Sequence, residues 1–364
     1  VKSRPLVVNL PPQVWQAHRL ALIPGEGPDP FWIEREFEAA GLMFQTIDPN
    51  PRPWNPAAGK HGAYQGIDPL RALSVLLTKR KAALILTGSE SPSLVPLALR
   101  RLLFFRPSIV IWELSWSPGW KFRDWLCRRT VPWADRTIVV GTNQIELTRK
   151  AFGARARPVF MPLYVDSDFF RPLPPSAPPP GQPPYIVSVG LDAGRDFRLL
   201  MDATRDLGVV LTIKAGRYKI PLDKTVHPHV EVIERYLPYL ELRGLYNEAA
   251  MAVITTLDTP NACGVTSLME SMAMGKPTIV SDNPALADYL PPPEREAVII
   301  VPIGDAAALR GAIQRVLADP EKAAAMGRRA REFAIEAFSP KKNLKKLTDL
   351  CWRLIEEKPP SGRG

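Results

Sequence analysis

The sequence predicts an α/β protein made of two Rossmann-like, doubly wound domains facing each other across a cleft, and three observations carry that expectation. At 364 residues the chain is longer than one core usually supports, since single cores rarely grow past about 250–300 residues. Short apolar runs of strand length alternate with amphipathic stretches of helix length, the rhythm of parallel strands joined by crossover helices. Residues 166–184, with eight prolines and little to bury, interrupt the alternation once, after which it restarts.

After a proline-rich lead, Arg19 to Pro24 (RLALIP) reads as the first strand, followed by Gly25-Glu26-Gly27, a helix around 31–40 and a strand at 43–47. Prolines and glycines make residues 49–66 a long irregular loop. A helix at 69–81, a strand at 83–87, a helix at 94–104 and a strand at 109–113 follow. A basic helix near 121–129, a strand at 137–140, a helix at 143–152 and a strand at 158–162 complete the first series. Beyond the break come strands at 185–189, 209–214 and 230–233, with helices at 196–206 and 239–249 between and after them. A strand at 251–255, a helix after Gly264, a strand at 278–281, a short helix near 285–289, a strand at 298–301 and helices over 305–357 end the chain. The expected organisation is a first domain over 1–165, a linker over 166–184, a second domain over 185–340, and a C-terminal helix and tail over 341–364 that can pack back on the first domain.

Composition narrows the function classes. Apolar content of 46% with 23% charged residues is that of an ordinary globular protein, and no run of 18 or more apolar residues offers a membrane-spanning helix. The first residues lack the apolar core and cleavage site of a secretory signal. Cys127, Cys263 and Cys351 are odd in number and far apart, against a disulfide framework or metal knuckle, so a reducing cytoplasm is expected. The net charge of +10 is unevenly placed: residues 1–165 hold 22 Lys and Arg against 12 Asp and Glu, and the remainder holds 25 of each. Eight of the nine tryptophans also fall in that first part, so the two halves offer different surfaces. Residues 112–133 interleave five tryptophans with Lys121, Arg123, Arg128 and Arg129, a pattern suited to an anionic membrane surface. The competing reading is that the rings are core and the charges a solvated helix face. Nucleic acid is not expected, because no recognisable binding motif accompanies the basic residues.

The chemistry is expected at Asn261 to Pro277, NACGVTSLMESMAMGKP. A buried strand at Met251 to Thr255 leads through Gly264 into a helix with an apolar face of Leu268, Met269, Met272 and Ala273, and Gly275 and Pro277 end that helix. Its entry presents unpaired backbone N–H groups and the positive dipole end at Val265, Thr266, Ser267 and Leu268, which suits a phosphate. Ser267 and Glu270 have capping-box spacing, so Glu270 could simply satisfy the backbone at Ser267; it could equally accept hydrogen bonds from two vicinal hydroxyls.

The stretch GVTSLMESMAMGKPTIVSD resembles the donor-binding signature of retaining glycosyltransferases of family 4. The segments WADRTIVVGTNQIELTRKAFG (133–153), PLYVDSDFFRP (162–172) and YIVSVG (185–190) resemble further motifs of that family in the same order. The resemblance implies a GT-B fold, a nucleoside-diphosphate sugar bound mainly by the second domain, and transfer of the sugar to a hydroxyl acceptor (glycan, lipid or small molecule) with retention of configuration. It implies that Glu270 binds the ribose, that Arg195 lies near the phosphates, and that no bound metal or other cofactor is needed. Lys214, at the end of its strand, is a second phosphate candidate, although either cation could be an ordinary surface charge. Gly190 and Gly194 would let the backbone approach the ligand. In the first domain Gly25 and Gly27 resemble the family's glycine loop, and Glu90, between Ser89 and Ser91, would orient the acceptor hydroxyl unless those serines merely cap the next helix. The sequence departs from the family at Ala262, where a first glutamate is usual, leaving Asn261 and Thr266 as the polar neighbours to touch the sugar or a phosphate. Two other functions fit the same signature: a GT-B nucleotide-sugar epimerase, and a catalytically weak scaffold binding a partner or membrane. His227 and His229 flank a proline with no third ligand nearby, so no metal site is expected there. The expected location is the cytoplasm, with the inner membrane face open to it through residues 112–133.

Overall fold

A computed structural model describes residues 4–11, 25–29, 31–48, 71, 74–75, 82–88, 96–98, 107–112, 121–174, 181, 183–216, 220 and 222–357, with the side chains of 121–123 outside the description. The expected strand at 19–24, the loop at 49–66 and most of the helices at 69–81 and 94–104 lie outside the described residues. The chain forms two compact units. One comprises residues 1–23, 30–161 and 343–364, and the other residues 24–29 and 162–342.

The first unit carries six strands: β1 (Leu6–Leu10), β2 (Met43–Thr46), β3 (Ala82–Gly88), β4 (Ser108–Trp112), β5 (Arg136–Val139) and β6 (Pro158–Phe160). They pair in the order β2-β1-β3-β4-β5-β6, all parallel. β1 is a strand where the sequence suggested only a proline-rich lead. Its five residues fit between Pro5 and Pro11, so neither proline removes a donor from the ladder. Helices α1 (Trp32–Ala39), α2 (Lys121–Thr130) and α3 (Asn143–Phe152) belong to this unit. So does nearly all of α9 (Pro340–Glu357), which buries Leu344, Leu347, Leu350, Cys351 and Leu354 at helical spacing. Trp352 Nε1 donates to the Ala40 carbonyl at 2.8 Å and Ser108 Oγ to that of Leu354 at 3.2 Å, fastening α9 to the unit.

The second unit holds β7 (Tyr185–Val189), β8 (Val210–Lys214), β9 (Val230–Ile233), β10 (Met251–Ile254), β11 (Thr278–Ser281) and β12 (Ile299–Val301). The order is β12-β11-β10-β7-β8-β9, again parallel throughout. Both faces are covered, so the strands read as nearly continuous apolar runs. Alternate residues divide between two cores: Val187, Ala252, Ile254 and Val280 face α5 (Tyr239–Glu248), α6 (Val265–Ala273) and α8 (Pro320–Ala337). Ile186, Met251, Val253 and Ile279 face α4 (Phe197–Thr204) and α7 (Ala306–Ala318).

The proline-rich segment begins as core rather than linker. Phe169 and Phe170 are buried, and the Asp166 carboxylate accepts the backbone N–H groups of Asp168, Phe169 and Asp29. Arg331 on α8 donates to the carbonyls of Phe170, Ser167 and Ala273. The two aromatic rings supply the apolar area that the proline count concealed. Residues 175–180 lie outside the described residues.

The C-terminus of α6 is closed by Gly275 at φ +66°. Gly275 N–H donates to Met272 and Lys276 N–H to Ser271, the paired bonds of a left-handed cap. Gly327 of α8 lies directly against that turn: an added Cβ would fall on the Gly275 carbonyl oxygen and 2.9 Å from its carbon. Gly327→Ala is therefore expected to destabilise by about 1–3 kcal/mol. Gly311→Ala on α7, whose Cβ meets only Arg315 Nη1 at 3.7 Å, should be neutral or stabilising by up to ~1 kcal/mol. Thermal melting of the two variants checks the contrast.

Candidate functional site

In an open parallel sheet, ligands collect beyond the carboxyl ends of the strands where the strand order reverses. In the second unit that point lies between β7 and β10, whose chains leave for α4 on one face and α6 on the other. Their ladder pairs Ile186 with Met251 and Val187 with Ala252 and ends there. Past that register, side chains take over the hydrogen bonding. Ser188 Oγ donates to the Val253 carbonyl at 2.7 Å. Arg195, only 5% exposed, donates through Nε to Thr255 O at 3.0 Å, through Nη1 to Val189 O, and through Nη2 to Ser188 Oγ at 3.0 Å. The side chain thus turns inward and ties the ends of both strands together. Burial lowers its pKa to about 10, a fall that Tyr246, Asp192 and Cys263 partly oppose, so it remains a cation at neutral pH.

Glycines make this close packing feasible. A Cβ on Gly190 would lie 2.8 Å from Arg195 Cγ, and one on Gly194 would lie 2.5 Å from Cys263 Sγ. Gly264, the residue before α6, sits at φ +84°, and a Cβ there would meet Ile254 Cγ2 at 2.7 Å. As the N-cap residue, Gly264 offers no side chain to cap α6. Asp192 Oδ2 accepts the Gly264 N–H at 3.3 Å, one position before the helix, so the helix entry opens at Val265, Thr266 and Ser267. Thr266 is exposed, while Val265 and Ser267 are buried.

The two readings of Glu270 separate here. Ser267 Oγ donates to the Val189 carbonyl at 2.7 Å instead of capping the helix, so the capping-box arrangement is not formed. Glu270, 7% exposed, accepts from Tyr246 OH through Oε2 at 3.0 Å, and among the described residues no partner is found for Oε1. Burial pushes its carboxyl up to about 7, the Tyr246 hydrogen bond pulling the other way. The Tyr246 hydroxyl is raised well above its ordinary range by burial and by Glu270. Tyr246 and Asp192 were not singled out from sequence. Tyr246 sits eight residues past a proline on a helix of weak pattern, and nothing local marks it as reaching a carboxylate.

The remaining candidates are scattered around this point. Lys214 is buried at the end of β8 with Nζ on the Ala215 carbonyl at 2.5 Å, its pKa lowered by burial and by Arg235. Asn261 is half-buried, and Ala262 packs against the core containing α5 and α6. Gly25 (φ +88°) and Gly27 lie in the 24–29 segment, which belongs to the second unit rather than the first. Ser89, Glu90 and Ser91 lie outside the described residues. Among the described residues no group of three metal-ligating side chains occurs. A cavity of about 580 Å³ adjoins the loop after β7, lined by Gly190, Leu191, Asp192, Arg195, Phe197, Met201, Gly216 and Leu257.

Residues 224–333 match the family model for Glycosyl transferases group 1, a span that includes Tyr246, α6 and Glu270 but not Arg195 or Lys214. No curated protein matches the chain by sequence. Among solved structures the chain resembles sucrose-phosphate synthase from Thermosynechococcus elongatus (17% identity, 97% of this chain and 100% of that one, TM-score 0.71). It also resembles Anabaena HepE in complex with UDP-glucose (11% identity, 96% and 99%, TM-score 0.66). A third likeness is to the E. coli structure described as "Trehalose-6-phosphate … bound with UDP-2-fluoro glucose" (10% identity, 98% and 100%, TM-score 0.65). The fold is GT-B, two α/β units each with a six-stranded parallel sheet.

The buried Glu270 carboxyl sets a pH dependence. Because its pKa in the folded chain lies above that of a free glutamate, the folded state holds this proton more tightly. That stabilisation is complete below about pH 4.5 and is lost as pH rises through about 7. Glu270→Gln keeps an acceptor for Tyr246 without the charge. It is expected to melt roughly 4–8 °C above the native chain at about pH 8, the equivalent of ~2 kcal/mol in a domain of this size, and to converge with it near about pH 5. Melting curves across that range check the trend.

Proposed function

We propose that this protein is a glycosyltransferase that moves a sugar from a nucleoside diphosphate to a hydroxyl acceptor with retention of configuration. The observation that carries the reading is Glu270: a buried carboxylate with one oxygen held by Tyr246 and the other without a partner among the described residues, one turn inside a helix N-terminus whose N-cap residue has no side chain. A ribose with two vicinal hydroxyls suits the carboxylate, and a diphosphate suits the N–H groups of Val265, Thr266 and Ser267. The family match over residues 224–333 and the UDP-sugars in two fold relatives support a nucleotide-sugar donor.

In this reading the bond from the anomeric carbon to the diphosphate oxygen breaks while the acceptor oxygen bonds to that carbon on the same face, and the acceptor proton passes to the departing oxygen. Negative charge grows on the diphosphate as it leaves. The helix entry and the Arg195 cation stabilise it without reorganising. Arg195 acts from beneath the loop, since its guanidinium is already engaged by the Thr255 and Val189 carbonyls and by Ser188 Oγ, and Gly190 and Gly264 allow the backbone above it to approach the ligand. Lys214 would need to leave the Ala215 carbonyl to reach a phosphate. Asn261 and Thr266 are the polar groups assigned to the sugar, and Glu90 and Ser89 are assigned to the acceptor with Gly25 and Gly27. No bound metal is required.

Ala262 supports a second reading, a catalytically weak scaffold, because it packs on the core where a donor-side carboxylate would otherwise stand. Release of free sugar or transfer from a UDP-sugar above background excludes it. For the donor site, titration calorimetry with UDP is expected to show binding that Glu270→Ala weakens about tenfold or more, ~1.4 kcal/mol. Unchanged affinity in that variant removes Glu270 from the ribose.

A further inference from the structure

We infer that the face formed by α2, the turn after it and the C-terminal end of α3 is a docking surface for an anionic membrane. The surface is built from the first unit alone and stands whether or not the donor reading holds.

The two helices pack together, and the turn at Val131–Trp133 packs against the turn at Ala154–Ala156. Arg128 Nη1 crosses from α2 to the Ala151 carbonyl near the end of α3 at 2.7 Å. Inward-facing residues of these elements, Cys127, Val131, Phe152 and Ala156, fill the core beneath the sheet. The apolar side chains on the other side are surplus to it: Trp125 is 51% exposed, Leu147 42% and Trp133 37%. Both tryptophans therefore keep part of their rings at the surface.

Around them stand six exposed cations, Arg128, Arg129, Arg149, Lys150, Arg155 and Arg157. On α2, Trp125, Arg128 and Arg129 fall at positions i, i+3 and i+4, and the Arg129 guanidinium lies over the Trp125 ring at 5.2 Å. Among the described residues from 121 to 157 the acidic groups are Asp124, Asp135 and Glu146. Asp135 is buried, accepting Ile109 N–H at 2.8 Å, and Glu146 is paired with Arg149. Asp124 is half-buried.

Tryptophan suits a boundary that is apolar on one side and wet on the other, and clustered Lys and Arg are drawn to anionic headgroups. Leu147 decides between lipid and nucleic acid. An aliphatic side chain has no base-stacking value but partitions readily into the acyl boundary. Among the described residues no helix is long and apolar enough to cross a membrane, so the contact is with the surface.

Flotation of the full chain with phosphatidylcholine vesicles, with and without phosphatidylglycerol, tests this. Co-flotation is expected only with the anionic vesicles, and it should fall steeply at high salt. The pair Arg129→Glu and Lys150→Glu should lose roughly twentyfold or more in partitioning. The pair Arg315→Glu and Lys322→Glu makes the same charge change on exposed positions of the second unit and should keep most of it. Trp125→Ser should lose several-fold at unchanged charge. No anionic-dependent flotation overturns the proposal, as does an equal loss in the two charge pairs with native melting curves. Binding of a single-stranded RNA oligonucleotide in place of vesicles also overturns it.

Discussion

Everything at the second unit's candidate site depends on the burial of one guanidinium. Where β7 and β10 part, the ladder between them stops at Val187 and Ala252, and beyond it Ser267 Oγ donates to the Val189 carbonyl and the Asp196 N–H to that of Thr255. Arg195 and Ser188 add further donors, reaching Val189, Val253 and Thr255, and Arg195 itself bridges back to Thr256. The arrangement is unusual for a buried cation, since no ion pair to Arg195 occurs within salt-bridge distance among the described residues. The desolvation that lowers its pKa to about 10 is only partly opposed, by Tyr246, Asp192 and Cys263. A structural tie alone would not need a charge. A site that must hold a leaving diphosphate gains from one that is fixed in place before the ligand arrives.

The same constraint explains why glycine recurs around it. Gly190, Gly194 and Gly264 each abut Arg195, Cys263 or Ile254 so closely that a side chain would displace the tie or the helix entry. Gly264 does this in a left-handed conformation, which sets the direction in which α6 starts and leaves its first N–H groups facing out of the sheet. At the other end of α6, Gly275 and Gly327 bring α8 into backbone contact with the closing turn. The helix is thus held at both ends by positions where only glycine fits, and Glu270 is carried between them at a fixed depth.

Much of this fold was legible because parallel strands covered on both faces announce themselves as short apolar runs, and eleven of the twelve lie within a residue or two of where the alternation put them. β12 is shorter than its apolar run at one end. β1 was missed because LVVNL sits between two prolines and looks like part of a lead. The helix after Gly264 and its ending at Gly275 were readable from local chemistry alone. What periodicity cannot show is where a side chain points after the strand ends. The resemblance put Arg195 near the phosphates, and its guanidinium turns inward to the Thr255 and Val189 carbonyls; periodicity gave no sign of Tyr246, whose partner is 24 residues away. The segment after Asp166 misled by its proline count, since two buried phenylalanines outweigh it.

The most direct test of this account is a crystal structure with UDP bound. The expected result places the diphosphate on the N–H groups of Val265 to Ser267 and the ribose hydroxyls on Glu270, with the Arg195 guanidinium still on the Val189 and Thr255 carbonyls. A structure in which UDP lies away from α6, or in which Arg195 leaves those carbonyls to grip the phosphates itself, would contradict it.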